Sequence, residues 1–148
     1  MRSGICAISG LTAAVLGASL PAFAVEQAGI SAAVRGDVRI QPQGGAERAL
    51  KSGEDIAVGD RVRSGPDGSL QVLLLDETTF TIGPDSDMAI NAFKPNGPAG
   101  AGQVEASVER GTFRFVTGQV ANANPENMKV RTPRAILGVR GTIVSGAV

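Results

Sequence analysis

The 148-residue chain contains no histidine, tryptophan or tyrosine, and it has a single cysteine. A Ser-His-Asp triad, a Cys-His pair and an imidazole-ligated metal site are therefore excluded. General acid–base catalysis near neutral pH would require Asp, Glu or Lys residues with strongly shifted pKa values. We therefore predict that the protein is not an enzyme and that it has no catalytic, cofactor-binding or metal-binding residues.

The chain also lacks a surplus of charge of either sign, since 14 Lys and Arg residues balance 14 Asp and Glu residues. This balance argues against bulk electrostatic attachment to nucleic acid or to acidic lipid. Hydrophobic residues make up 43% of the chain and charged residues 19%, which is typical of globular rather than disordered proteins. The length suits one domain, and we expect no nucleic acid among its partners.

The N-terminus is almost free of charge, because Arg2 is the only charged residue before Glu26. Residues 5–20 are apolar and small, and a small-x-small motif ends at Ala24. This pattern predicts a secretory signal peptide over residues 1–24, cleaved after Ala24. The alternative, an uncleaved membrane anchor, is disfavoured because glycine, serine and proline interrupt an apolar run that is barely long enough to span a bilayer.

Cleavage after Ala24 would remove Cys6 and leave residues 25–148 as a domain without any thiol. An exported domain without disulfides must be held together by its hydrophobic core. We therefore expect a periplasmic or secreted protein with no stable membrane span after cleavage.

Apolar and polar residues alternate with a period of two along most of the remaining chain. Strands are predicted over 34–40, 56–63, 69–75, 78–82, 88–92, 103–109 and 112–116, and around Val130, Ile136 and Ile143. No stretch of ten or more residues carries a helical apolar stripe. Roughly nine short strands at intervals of about 8–12 residues favour an all-β sandwich or barrel.

The aromatic side chains of residues 25–148 are interpreted as core residues, because aromatic residues dominate core burial. They are Phe80, Phe93, Phe113 and Phe115. Carbohydrate-binding platforms usually need exposed Trp or Tyr, and the chain has neither.

One local cluster of basic residues stands out, consisting of Lys129, Arg131, Arg134 and Arg140. The alternation of a strand places Lys129 and Arg131 on the same face. The cluster is either a solvated sheet face whose charge blocks edge-to-edge aggregation, or a patch for an anionic partner. Such a partner could be a peptidoglycan or polysaccharide carboxylate, or an acidic protein strand.

Two other groups of residues are interpreted as turns. The acidic residues in Asp76–Glu77 and Asp85–Asp87 could ligate calcium, but the twelve-residue loop pattern with its terminal Glu is absent. Asp and Ser commonly hydrogen-bond their own backbone in turns. The glycines of Gly138–Thr142 lack the lysine and the following helix of a phosphate-binding loop.

Four motifs follow one another along the chain: GDRVRSG at 59–65, DETTFTIGPDSDMAI at 76–90, GTFRFVTG at 111–118 and RTPRAILGVRGT at 131–142. In this order and spacing, residues 34–144 resemble the FecR domain family. The resemblance implies a β-sandwich of jelly-roll type in the periplasm. The family is named after regulators of iron uptake. The resemblance therefore also implies a relation to proteins that sense a loaded outer-membrane transporter and control a sigma factor.

Such regulators carry a cytoplasmic anti-sigma segment, whereas only residues 1–4 precede the apolar stretch here. We therefore expect a stand-alone exported member that senses or scaffolds by binding an envelope protein, through strand addition at an open edge or through its loops. The alternative is a module that binds peptidoglycan or another envelope glycan. Family members usually continue beyond the last motif, so a partner or further chain is expected to cover the final strand.

Overall fold

Thirteen β-strands form most of the described structure, a computed structural model that describes residues 24–95 and 101–148. They are β1 (Gln27–Arg35), β2 (Val38–Gln41), β3 (Arg48–Ala49), β4 (Asp55–Ala57), β5 (Arg61–Ser64), β6 (Ser69–Leu74), β7 (Thr79–Ile82), β8 (Asp87–Lys94), β9 (Gln103–Arg110), β10 (Thr112–Val116), β11 (Met128–Arg131), β12 (Ile136–Gly138) and β13 (Ile143–Ala147). A short helix, α1 (Gln119–Ala123), and a 3₁₀ turn (Pro125–Asn127) lie between β10 and β11.

The strands form two sheets that enclose one apolar core, which confirms the predicted all-β sandwich. The six-stranded sheet has the order β13-β10-β7-β6-β1-β4, and the seven-stranded sheet has the order β12-β11-β9-β8-β5-β2-β3. Every pair of neighbours is antiparallel except β9 and β11. These two run parallel because the chain leaves through β10 of the other sheet and returns past α1.

The chain crosses between the sheets at several tight turns, which include β1–β2, β4–β5, β5–β6, β7–β8 and β9–β10. Glycine is required at two of them. Gly36 has φ of 65° and Gly111 has φ of 96°, a region that side chains with a Cβ rarely adopt. A Cβ at Gly36 would collide with the carbonyl of Asp67, and one at Gly111 with the Ser86 side chain.

The prediction of one continuous strand over 34–40 is wrong, because the chain turns at Gly36. The segment belongs to two strands, β1 and β2, which lie in different sheets, and β1 extends back to Gln27. The strand predicted over 56–63 is likewise two strands, β4 and β5, which a turn at Gly59 and Asp60 separates. The described chain therefore has thirteen strands rather than nine.

The four predicted core aromatics are confirmed, since none is more than 5% exposed. Phe115 contacts Phe80 edge-on with ring centroids 4.4 Å apart, and it stacks on Phe113 at 5.0 Å. Each buried phenylalanine contributes about 1.5–3 kcal/mol by removing apolar surface from water. The aromatic cluster therefore joins β7 and β10 at the centre of the six-stranded sheet.

In two strands, not every apolar side chain faces the core. Ala92 is only half-buried, because a register shift between Ile90 and Ala92 turns Phe93 inward instead. In the strand predicted at 69–75, Leu73 and Leu75 are 39% and 55% exposed. They lie on the outer face of the six-stranded sheet, which no other described element covers.

The segment between β10 and β11, in which the sequence predicts no helix, contains α1 and the 3₁₀ turn, and Val120 and Ala121 are buried there. Five residues are too few to show a helical apolar stripe. No helix in the two described ranges combines the length and the apolarity needed to cross a membrane. The predicted signal peptide before Ala24 and residues 96–100 lie outside the described residues, so cleavage stays a prediction.

Candidate binding site at an open sheet edge

The polar residues of the first motif hold a corner of the sandwich. The Asp60 carboxylate is buried and accepts a hydrogen bond from the backbone N–H of Ala57 at 2.9 Å. The neighbouring Gly59 donates its N–H to the carbonyl of Ile90 at 2.7 Å. These contacts fix the turn by which the chain leaves β4 and enters β5 in the opposite sheet.

A second buried network joins the β6–β7 turn to α1. One oxygen of the Asp76 carboxylate accepts the Thr78 hydroxyl at 2.8 Å and the N–H of Val120 at 3.3 Å. The Thr78 hydroxyl in turn accepts the N–H of Gly118 at 3.1 Å. The carboxylate thereby satisfies a backbone donor in the first turn of α1.

Two buried serines, Ser64 of the first motif and Ser86 of the second, join the end of β5 to the β7–β8 turn. The Ser64 hydroxyl donates to the carbonyl of Gly83 at 2.6 Å and accepts the N–H of Ser86 at 2.9 Å. The Ser86 hydroxyl accepts the N–H of Thr112 at 3.2 Å. Both serine hydroxyls are therefore occupied by backbone groups, and they stabilise turns.

The acidic residues considered as calcium ligands do not form one site. Asp76 belongs to the α1 network, whereas Asp87 binds arginines on the outer face of the seven-stranded sheet. Within residues 24–95 and 101–148, no group of three or more acidic, histidine or cysteine side chains is placed to hold a metal ion.

Asp87 is the centre of the strongest ion-pair cluster. Its carboxylate binds Arg61 through two contacts of 2.6 and 2.7 Å and Arg63 through one of 3.2 Å. Burial alone would raise the pKa of Asp87, but the hydrogen bonds and charges of the two arginines outweigh it and lower the pKa. The hydrogen bond to Asp87 likewise raises the pKa of Arg61.

The predicted basic cluster is spread over three neighbouring positions of the fold. Lys129 and Arg131 share the outer face of β11, as predicted, because Met128 and Val130 point into the core. Arg134 lies in the turn between β11 and β12, and Arg140 lies in the loop before β13. Whether the four bind a partner stays a prediction.

A groove of about 540 Å³ opens beside this cluster, between the β11–β12 turn and β13. Phe113 and Leu137 contribute apolar surface to it, and Glu109 and Arg134 contribute one charge of each sign. Its other lining residues are Thr132, Pro133, Ser145, Gly146, Ala147 and Val148. The groove therefore lies where β12 and β13, the last strands of the two sheets, leave the sandwich open.

The backbone of β13 is paired on one side. Gly111 and Val148 exchange two hydrogen bonds of 3.2 and 2.9 Å. In an antiparallel ladder such pairs alternate with non-bonded ones, so the N–H and C=O groups of Ile143, Ser145 and Ala147 point away from β10. No strand within the described ranges lies on that side of β13. We call β12, β13 and the groove between them the open edge.

Exposed apolar side chains accompany these free backbone groups. Ile136 on β12 is 59% exposed, Ile143 on β13 is 53% exposed, and Val148 is 42% exposed. A free strand edge with apolar side chains is a template for pairing with another strand.

Several cations around the open edge form no ion pair with another described residue. Within the described residues, the arginines that form ion pairs are Arg39, Arg48, Arg61, Arg63 and Arg131. Arg131 binds Glu105 on the neighbouring strand. The cations that form none in the same ranges are Arg35, Lys51, Lys94, Arg110, Arg114, Lys129, Arg134 and Arg140. The last four surround the open edge.

Arg114 was missed by the sequence analysis. It lies on the outer face of β10, directly opposite Ser145 of β13. The alternation of Phe113 and Phe115 could have indicated that Arg114 points outward. Its position next to the open edge depends on the pairing of β10 with β13, which the alternation does not reveal.

A family model described as "FecR protein" matches residues 60–148, which is more than half of the chain. The chain belongs to the FecR family. FecR domains are regulatory and sensing domains and are not known as enzymes. The match begins at Asp60, later than the predicted start near Val34, and the FecR region includes every strand of the open edge.

No curated protein matches the chain significantly. A solved structure titled "Cell surface anchoring domain" is 35% identical to it, over 42% of this chain and 82% of that structure's own chain, with a TM-score of 0.40.

Proposed function

We propose that this FecR domain is a non-enzymatic binding module of the cell envelope that adds an extended segment of a partner protein to β13. One observation supports this proposal above the others. The N–H and C=O groups of Ile143, Ser145 and Ala147 point away from β10 beside an apolar groove. Main-chain hydrogen bonds provide affinity in strand addition, and pockets for alternate side chains provide specificity.

Natural sheets protect free edges with short strands, proline, charged side chains or bulges. β13 is five residues long, regular in register with β10, and free of proline and charge. The features that would keep a second strand away are therefore absent from β13 itself. A sensing or scaffolding role in the periplasm is consistent with the predicted signal peptide and with membership of a family of sensing domains.

A second candidate ligand is an anionic envelope glycan, such as peptidoglycan. The unpaired cations Arg114, Lys129, Arg134 and Arg140 favour it, because each could bind a carboxylate. The burial of all four phenylalanines counts against it, because the described surface offers no aromatic side chain on which a sugar ring could stack.

The test starts with crosslinking in the periplasm to identify the partner, followed by affinity measurements with the full chain. Ser145→Pro removes a donor that faces away from β10, so the β10–β13 ladder should remain intact. We expect binding to weaken at least about tenfold, because the added strand loses a main-chain hydrogen bond and clashes with the proline ring. Ser145→Thr keeps the N–H group and should bind within about twofold of wild type.

Unchanged affinity of Ser145→Pro would contradict strand addition, provided that its urea midpoint equals that of wild type. Sedimentation with purified peptidoglycan sacculi separates the second candidate. If charge reversal at Lys129 and Arg134 abolishes pelleting and Ser145→Pro leaves it unchanged, the ligand is the glycan rather than a protein strand.

A further inference from the structure

We infer that the segment which pairs with β13 is an acidic strand, apolar on the side facing the groove and carrying a carboxylate opposite Ser145. The inference rests on the proposed function and specifies the chemistry of the partner. It follows from the rows of side chains that an added strand would continue across the six-stranded sheet.

The inner face of the added strand is defined by the groove. Val144 and Gly146 are the residues of β13 that face inward, and each is half-buried. Gly146 packs closely against the Phe113 ring, since a Cβ there would lie 2.5 Å from it, and the ring edge contributes to the groove lining. Residues of the added strand opposite Val144 and Gly146 would therefore lie over Phe113 and Leu137. Apolar side chains are favoured at both positions because they are removed from water.

On the outer face, one row of side chains crosses the sheet in register from β13 to β1. Its members are Ile143, Val116, Thr79, Leu73 and Ile30. Directly opposed apolar and β-branched side chains stabilise each other across strands. A β-branched or apolar residue opposite Ile143 would extend this row by one strand.

The next row is polar, and it contains a cation. Its members are Ser145, Arg114, Thr81 and Gln71. Arg114 has no ion pair with any described residue. A residue opposite Ser145 would lie two strand spacings, about 9–10 Å, from the Arg114 backbone. Two long side chains can bridge that distance over the small Ser145, so a Glu is favoured there.

The wider charge distribution points the same way. Arg134 and Arg140 lie near the two ends of β13, and Lys129 lies on β11 in the seven-stranded sheet. The nearby carboxylates are fewer: Glu105, which Arg131 already binds, Glu109 in the groove lining, and Glu126 beside Lys129 and β12. The open edge therefore carries a surplus of positive charge, which attracts an acidic segment and repels a basic one.

Three fluorescent heptapeptides test the inference on the full chain. Each has valine at positions 1, 3, 5 and 7 and threonine at positions 2 and 6, and the central position, which is to lie opposite Ser145, is Glu, Gln or Lys. We expect the Glu peptide to bind about tenfold more tightly than the Gln peptide in about 0.05 M salt, and the Lys peptide to bind most weakly. The differences should shrink in about 0.5 M salt because screening shortens the range of charge interactions.

Arg114→Gln should reduce the preference for Glu over Gln at least about threefold, because it removes the cation nearest Ser145. Arg35→Gln is the matched control, since Arg35 is an exposed, unpaired arginine on the same sheet but on β1. It should leave the preference unchanged.

The outcomes separate the inference from the proposed function. Equal binding of the three peptides that Ser145→Pro abolishes would overturn the acidic preference and leave strand addition standing. A preference for Glu that persists in Ser145→Pro would overturn strand addition. Absence of binding by all three peptides would contradict both.

Discussion

The two lateral edges of the sandwich are closed to different degrees. At the edge formed by β3 and β4, which we call the closed edge, the strands have only two and three residues. The chain between them packs against β1, where the Ser31 hydroxyl donates to the carbonyl of Lys51 at 2.6 Å and Gly53 donates to the carbonyl of Ser31 at 2.7 Å. Leu50 is buried there, whereas the open edge exposes Ile136 and Ile143.

The charges of the two edges differ as well. At the closed edge, Arg48 binds Glu54 at 2.5 Å and Arg63 binds Glu47 at 3.3 Å. The unpaired cations of the open edge have no such partner among the described residues. The comparison teaches that one domain can protect one edge with short strands and internal ion pairs while its other edge keeps both backbone and charge available.

The largest expected difference concerns isoleucines on the two edge strands of the six-stranded sheet. Ile56 on β4 is fully buried, whereas Ile143 on β13 is 53% exposed. Ile56→Ala should lower the free energy of unfolding by about 2–5 kcal/mol because it creates a cavity. Ile143→Ala should lower it by about 1 kcal/mol or less. Urea denaturation of both variants measures the difference.

Similar losses of unfolding free energy in Ile56→Ala and Ile143→Ala would contradict the difference between the two edges, because they would mean that β13 packs as tightly as β4. A conservative pair, Ile56→Val and Ile143→Val, serves as the control. Only the buried member should show a loss, of about 0.5–1.5 kcal/mol.

A smaller loss of stability is expected from a change in the hydrogen-bond network of Asp76 and Thr78, which holds α1 beside the open edge. Thr78→Val removes the hydroxyl that accepts the N–H of Gly118 and donates to Asp76. A buried donor left without a partner costs about 1–3 kcal/mol, so unfolding should become easier by that amount. The matched control is Thr79→Val, since Thr79 is half-buried on the outer face.

Hydrogen exchange of the β11 amides should also rise in Thr78→Val, because α1 connects this network to β11. Equal urea midpoints for the two threonine variants would mean that the network does not anchor the open edge.

The faces of most strands could be predicted from the sequence. Val104, Ala106 and Val108 alternate with polar residues and are fully buried, as the period of two indicates. The pattern failed where one residue changes the geometry. Gly36 ends one strand and begins another in the opposite sheet, and alternation alone cannot distinguish a corner from a continuous strand.

The candidate site was predictable only in part. Lys129 and Arg131 could be placed on one face, because that inference needs only the local period. Their relation to Arg114, and the pairing of Arg131 with Glu105, depend on contacts between segments about 15–26 residues apart along the chain. The open edge itself could not be located, because the order of strands in a sheet is a property of long-range pairing.

The smallest expected change in stability at neutral pH comes from the ion pairs between β5 and β8. The unpaired cations of the open edge have no equivalent of these ion pairs within the described ranges. Asp87 has a pKa lowered by Arg61 and Arg63 in the folded protein, whereas an unfolded Asp has a pKa of about 3.9. A depressed carboxyl pKa stabilises the fold above the unfolded pKa, and this contribution is lost as the pH falls through the folded pKa. Stability should therefore be level between about pH 5 and pH 7 and should decline below about pH 4.

Asp87→Asn removes this contribution, so it should lower the free energy of unfolding at pH 7 by about 1–2 kcal/mol and flatten the decline in acid. Urea titrations at a series of pH values should show the wild-type and variant curves converging as the pH falls through the lowered pKa of Asp87. Asp67→Asn is the control, because Asp67 is exposed in the β5–β6 turn. If the stability curves of wild type and Asp87→Asn run parallel over the whole pH range, the ion pairs of Asp87 do not stabilise the fold.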